Sequence, residues 1–323
     1  MPDSTASTSS FVPPVRSDAV FNECYSLFHL DLLHHFQGPL TNVTVSIQSE
    51  LARILRVTYT EALRAPYLMD EVLAFASAHK STVAQDSDSK ALYQNESTRL
   101  QTRAISQLSL TNEDVNEDNF LPLFAFSLLL GQHVLFDVFS NPTSLTSVID
   151  RFVQFLGLHH GISMITSQSI DRFTGLLQDL VPTDPVHFQV KVASLGRGTE
   201  CQGLLQRLSE SDLSESTKSV YADAVKILQY LFDTLESSDS RRYVAVQEWP
   251  VRISQDYISL LQQRRPEALV IMGYYAVLLH RAKDYWPVGD SGRFLIKVIS
   301  NHLGSYWSDL LEWPNQELGL DET

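Results

Sequence analysis

Residues 120–139 read Phe-Leu-Pro-Leu-Phe-Ala-Phe-Ser-Leu-Leu-Leu-Gly-Gln-His-Val-Leu-Phe-Asp-Val-Phe. Wound as a helix, this stretch is apolar on nearly every side. A helix without a polar face has nothing to offer solvent and is buried in the middle of a domain. A second stretch of the same kind, Glu267 to Trp286, follows Pro266, whose missing N–H costs nothing in a first helical turn. Two such helices predict an all-α fold: one layered, multi-helix domain with buried central helices, rather than a simple four-helix bundle. The longest apolar run, Phe120 to Leu130, ends at Gly131-Gln132-His133 and is short for a bilayer. No transmembrane segment is expected.

Working outward, helical periodicity recurs along the chain and strands are hard to find. Phe21 to Phe36 places Phe28, Leu32, Leu33 and Phe36 on one face, with Gly38-Pro39 as a stop. Val45 to Tyr59 and Pro66 to Lys80 are the next helices, and a polar helix with a thin apolar stripe covers Ala91 to Leu108. Ser147 to Ile165, a shorter Ile170 to Leu180, Val220 to Leu235 and Ile253 to Arg264 follow, then Phe294 to Leu303 and Ser305 to Leu311. His187 to Val192 is the one place that suggests a short strand. Residues 1–18, polar and rich in Ser and Thr, read as a disordered leader without the apolar core of a signal peptide. Residues 19–323 read as the domain.

Composition narrows function. The formal net charge is -14, which a phosphate backbone repels, and Arg241-Arg242 and Arg264-Arg265 are the tight basic pairs. Direct nucleic-acid binding is therefore not expected. The two cysteines, Cys24 and Cys201, cannot supply the six thiolates of a zinc binuclear cluster, so no metal is expected. There is no phosphate loop, no His-Glu-x-x-His and no nucleophile elbow, and no cofactor is implied. Asp86-Ser87-Asp88 and Asn116-Glu117-Asp118 lie in polar segments outside the apolar helices and make poor magnesium sites.

Two blocks carry a resemblance. The first is Glu-Cys-Tyr-Ser-Leu-Phe-His-Leu-Asp-Leu-Leu-His-His-Phe, Glu23 to Phe36. The second holds all four tryptophans: Glu248-Trp249-Pro250, Arg264-Arg265-Pro266-Glu267-Ala268-Leu269, Tyr285-Trp286-Pro287, Tyr306-Trp307 and Glu312-Trp313-Pro314. Between them lie a small-residue helix ending in His, Ala65 to His79, and a polar helix, Tyr93 to Ser106. In order and spacing these blocks resemble the C-terminal, sterol-sensing, all-helical domain of fungal zinc-cluster transcription factors of the sterol-uptake-control type. The zinc-cluster region of that family has no counterpart in this sequence. The resemblance implies transcription regulation, action in the nucleus or cytoplasm, and a pocket for a hydrophobic, sterol- or terpenoid-like molecule. A regulator without the zinc cluster is expected to act through a protein partner or as a homodimer.

From the residues, the expected pocket is a dry apolar cavity between helices 120–139, 147–165 and 267–286, lined by Phe126, Phe155, Met272 and Tyr275 as ligand-binding residues. The candidate catalytic pair is His133 and Asp137, one turn apart on the most apolar helix. An imidazole oriented by a carboxylate acts as general acid or base, although the ordinary reading is a hydrogen-bonded core histidine. Two functions stand ahead of a third, a purely structural dimerisation module. One is a helical ligand-binding domain of a regulator. The other is a stand-alone enzyme of fungal secondary metabolism, cyclase- or pericyclase-like, using the same cavity.

Overall fold

The computed structural model describes residues 25–40, 50–111, 115–140, 144–170, 198–237 and 242–319; of 158–170 it describes the backbone only. Among the described residues there are thirteen α-helices and no strands. The predicted leader, the suggested strand at His187 to Val192 and nearly all of the helix expected at Ile170 to Leu180 lie outside them.

The first six helices are α1 (Leu27–His35, running into a π-helical turn Phe36–Leu40), α2 (Glu50–Ala62), α3 (Pro66–Val83), α4 (Ser87–Thr111), α5 (Glu117–Ser140) and α6 (Leu145–Ile170). They are followed by α7 (Gln202–Glu210), α8 (Glu215–Ser237), α9 (Arg242–Arg252), α10 (Gln255–Gln262), α11 (Pro266–Arg281), α12 (Ser291–Leu303) and, after a 3-10 turn Ser305–Trp307, α13 (Ser308–Glu317).

Three helices are central. α5 and α11 are the two expected. The third is α3, whose residues from Tyr67 to His79 are all buried. Its small side chains, Ala74, Ala76, Ser77 and Ala78, let α4 lie close along it. Around α3 pack α1, α2, α4 and α5. Around α11 pack α8, α9, α12 and α13, and α6 joins the two groups by touching α5 on one side and α9, α10 and α12 on the other. One apolar cluster runs through both groups.

Length alone does not exclude α5 from a membrane. The helix runs to 24 residues, longer than the apolar run inside it, and passes by length and composition. Its apolarity is accounted for by burial, since 67% of its most apolar window lies inside the molecule.

The acidic turn before α5 is a helix cap. The Asn116 side-chain oxygen accepts from the N–H groups of Asp118 (2.9 Å) and Asn119 (3.1 Å), and Asn119 returns a bond to the Asn116 N–H at 2.8 Å. Asp86 caps the start of α4 in the same way, accepting from the Ser89 N–H at 2.7 Å.

Two helices, α7 and α9, go beyond the sequence expectation, and prolines explain part of it. Pro250 falls in the last turn of α9 and Pro314 inside α13. Each also carries a neighbouring tryptophan into the core side of its helix. Trp249 is fully buried, donates its indole N–H to the Ala224 carbonyl at 3.1 Å and stacks on Tyr275 at 4.6 Å. Trp313 packs against Phe232 and Tyr274.

Candidate functional site

The polar chemistry of the molecule is concentrated where α3, α4 and α5 meet. α3 presents Asp70, Glu71 and Ser77 inward, all at 0% exposure. Such groups are tolerated in a core when partners meet them. Asp70 accepts from Arg103 Nε at 2.6 Å and Nη2 at 2.5 Å, from Gln107 at 3.0 Å, and from the Tyr25 hydroxyl at 2.9 Å. The Ser77 hydroxyl donates to the Tyr93 carbonyl at 2.8 Å.

Glu71 meets His133. The His133 Nδ1–H donates to Glu71 Oε1 at 2.8 Å, and its Nε2 shares a hydrogen bond with Ser97 Oγ at 2.9 Å. Burial draws the His133 imidazole down, but the Glu71 and Asp137 carboxylates outweigh it and hold the ring above its ordinary value. Burial pushes the Glu71 carboxyl up. Both shifts favour the proton-bearing form of the pair. Asp137 acts on the ring only through space; the hydrogen-bond partner expected there is replaced by Glu71, which comes from α3, 62 residues away.

Serine, histidine and glutamate stand in the order of a nucleophile, its base and an orienting carboxylate. Two features separate the arrangement from an acyl-transfer site. Ser97 lies inside α4, where neighbouring backbone N–H groups are committed to the helix and none is left to face an oxyanion. The three side chains are also closed off, at 5%, 1% and 0% exposure for Ser97, His133 and Glu71. The cluster ties α3, α4 and α5 together.

One turn along both α4 and α5 from this cluster, the surface opens. Gln101 and Ile105 of α4, Val134, Asp137 and Val138 of α5, and Arg151, Gln154 and Phe155 of α6 line a groove of about 320 Å³. Two of the expected site residues, Asp137 and Phe155, are thus brought together, with Phe155 forming part of the apolar wall. The Arg151 guanidinium donates to the Asp137 carbonyl at 3.4 Å. The Gln101 Nε2 is buried without a hydrogen-bond partner among the described residues. Its signal in the sequence is weak, a single glutamine on a polar helix.

The other expected lining residues lie deeper. Phe126 packs edge-on against Tyr67. Met272 and Tyr275 are at 0% exposure on α11. Tyr275 stacks between Trp249 and Phe152 and donates its hydroxyl to the Val246 carbonyl at 2.7 Å. These three back the core and do not line the groove.

A second buried histidine cluster joins the two groups of helices. His35 Nε2 and His79 Nδ1 share a hydrogen bond at 2.7 Å, and Trp286 packs against His79, Phe75 and Phe136. Burial, then the neighbouring His79, lowers the His35 imidazole to about 4, and burial lowers His79.

Cys201 is buried and free, with its thiol pushed well up by burial; Cys24 lies outside the described residues. Of the basic pairs, Arg242 is bound to Asp284 and Arg264 to Asp150, each at 2.8 Å.

No family model matches the chain. Over 168 residues, 51% of its length, it is 29% identical to a Zn(2)-C6 fungal-type transcription factor of Gibberella zeae, and the match covers 31% of that protein. The chain thus spans about a third of the length of this curated relative, and half of it forms a region related to fungal transcription factors.

Proposed function

We propose that the chain is a helical regulatory domain of the fungal transcription-factor type, and that it binds an apolar small molecule of terpenoid or sterol class in the groove between α4, α5 and α6. The observation that carries this reading is the groove. It has an apolar wall of Ile105, Val134, Val138 and Phe155 and a polar rim that includes the unpartnered Gln101 amide. Its volume sits at the lower end of small-molecule sites, and its make-up of apolar walls with a few directed polar groups is typical of them. The side chains of Gln101, Arg151 and Gln154 give that rim polar groups to orient a ligand hydroxyl or carbonyl oxygen. The relationship to a fungal transcription factor supports a regulator over an enzyme. In this reading His133 is a structural group beneath the site, and the domain acts in the nucleus or cytoplasm through a protein partner or as a homodimer.

Native mass spectrometry of the protein, followed by titration with a polycyclic terpenoid and a sterol, tests the proposal. A one-to-one adduct of about micromolar affinity is expected. Ile105→Arg, at a half-buried position in the wall, should abolish the adduct while the thermal melt is retained. Absence of binding by either compound, or undiminished binding by the variant, would overturn the assignment.

A further inference from the structure

A larger trough lies on the opposite group of helices, well separated in sequence from the groove just described. It has a volume of about 720 Å³ and runs between α7, the α7–α8 turn, the start of α11, and the 3-10 turn leading into α13. Leu204, Leu208, Val270 and Leu310 contribute apolar surface to it. Tyr306 and Trp307 stand at one side, their rings edge-to-face at 5.4 Å and 79°. Tyr306 is 75% exposed, an unusual position for a large aromatic side chain in a folded domain.

The charge around the trough is one-sided. Glu210, Asp212, Glu267 and Asp309 line it, against the single cation Arg207 among the described residues. Glu267 is the informative member. It sits in the first turn of α11, where the helix end favours an anion. Even so, its Oε2 is buried without a hydrogen-bond partner among the described residues. A buried carboxylate oxygen in that state is under-satisfied, and the negative potential it adds beside the trough favours a cationic occupant.

We propose that this trough is a docking surface for a short basic peptide segment of a partner protein, with Lys or Arg side chains set against the carboxylates and the aromatic faces, and an apolar side chain on the leucine floor. Charge complementarity selects this occupant. Nucleic acid and anionic lipid are both repelled by the carboxylates and by a formal net charge of -14. A second copy of the same chain would bring further negative charge. Guanidinium and ammonium groups gain from the faces of Tyr and Trp as well as from carboxylates. A volume of 720 Å³ open at an exposed tyrosine accommodates several side chains of an extended segment rather than enclosing one small molecule.

The test is fluorescence anisotropy with two labelled nine-residue probes, one alternating Arg with Leu and one alternating Glu with Leu, on the whole protein at low salt. The basic probe is expected to bind and the acidic one not. Tyr306→Ala, at an exposed position that leaves the thermal melt unchanged, should weaken the basic probe about tenfold. Glu267→Gln combined with Asp309→Asn should weaken it further and flatten its salt dependence. Equal binding of both probes, binding of neither, or full binding by the neutralised variant would overturn the proposal. Ile105→Arg in the small-molecule groove should leave peptide binding intact, which separates failure of one site from failure of the other.

Discussion

At the scale of the residue, the pairing of His133 with Glu71 has the largest energetic leverage. Removing one partner of a buried ion pair strands the other in a medium that cannot solvate it. His133→Phe fills similar volume but leaves Glu71 with neither of its oxygens satisfied, since Oε2 already lacks a partner. We expect a loss of about 3–5 kcal/mol in urea unfolding. The double variant Glu71→Met with His133→Phe should regain much of that loss, because an apolar pair needs no solvation in the same site. Strictly additive losses would show that the two residues act independently. His133 was visible in the sequence as an ionisable group on an apolar helix. Its partner was not, because Glu71 sits in a stretch that reads as ordinary helix, and the nearest carboxylate by helical spacing is Asp137.

At the scale of the element, the close approach of α11 and α12 depends on one glycine. A Cβ on Gly292 would lie 2.5 Å from the Ala276 carbonyl oxygen and 2.8 Å from the His280 backbone nitrogen. Backbone atoms of a packed helix cannot step aside, so the two helices would have to separate. Gly292→Ala should cost about 3 kcal/mol. Gly157, inside α6, is the contrast, since none of the described residues lies within 4 Å of its Cβ position. Gly157→Ala should stabilise the protein by about 0.5–1 kcal/mol through helix propensity alone. Thermal or urea unfolding of the two variants side by side checks both signs. The helix α3 makes the corresponding point about patterning. Asp70, Glu71 and His79 put polar groups on different sides of it, yet it is as buried as α5, because α1, α4 and α5 bring partners to each of those groups.

At the scale of the whole molecule, the histidines set the response to acid. His35, held down at about 4, and His79, also lowered, are neutral in the folded protein. The unfolded chain takes up protons on them near pH 6.5, before the folded chain does. The stability that these two imidazoles contribute is therefore fully present above about pH 6.5 and is lost as pH falls from there toward about 4. His133 and Glu71 have the opposite sign, since raised values favour the proton-bearing fold and weaken it as pH climbs. The free energy of urea unfolding followed from pH 8 to pH 4 should fall on the acid side, and His35→Gln should reduce that fall by about 2 kcal/mol at pH 4. An unchanged acid limb in the variant would remove His35 from this account.

The sequence by itself determined the helical class, the centrality of α5 and α11, and most helix positions to within a few residues, because amphipathic period and all-round apolarity are local properties of the chain. It left α9 unread, since Pro250 looks like a breaker although a proline is carried in a final turn. Tertiary structure alone decided that α3 is the third central helix, that Glu71 rather than Asp137 holds His133, and that α4, α5 and α6 leave a groove at their edge. These outcomes depend on which helices meet and at what distance. Partners 62 residues apart leave no periodic trace in the chain, and a void is a property of the space between helices rather than of any one of them.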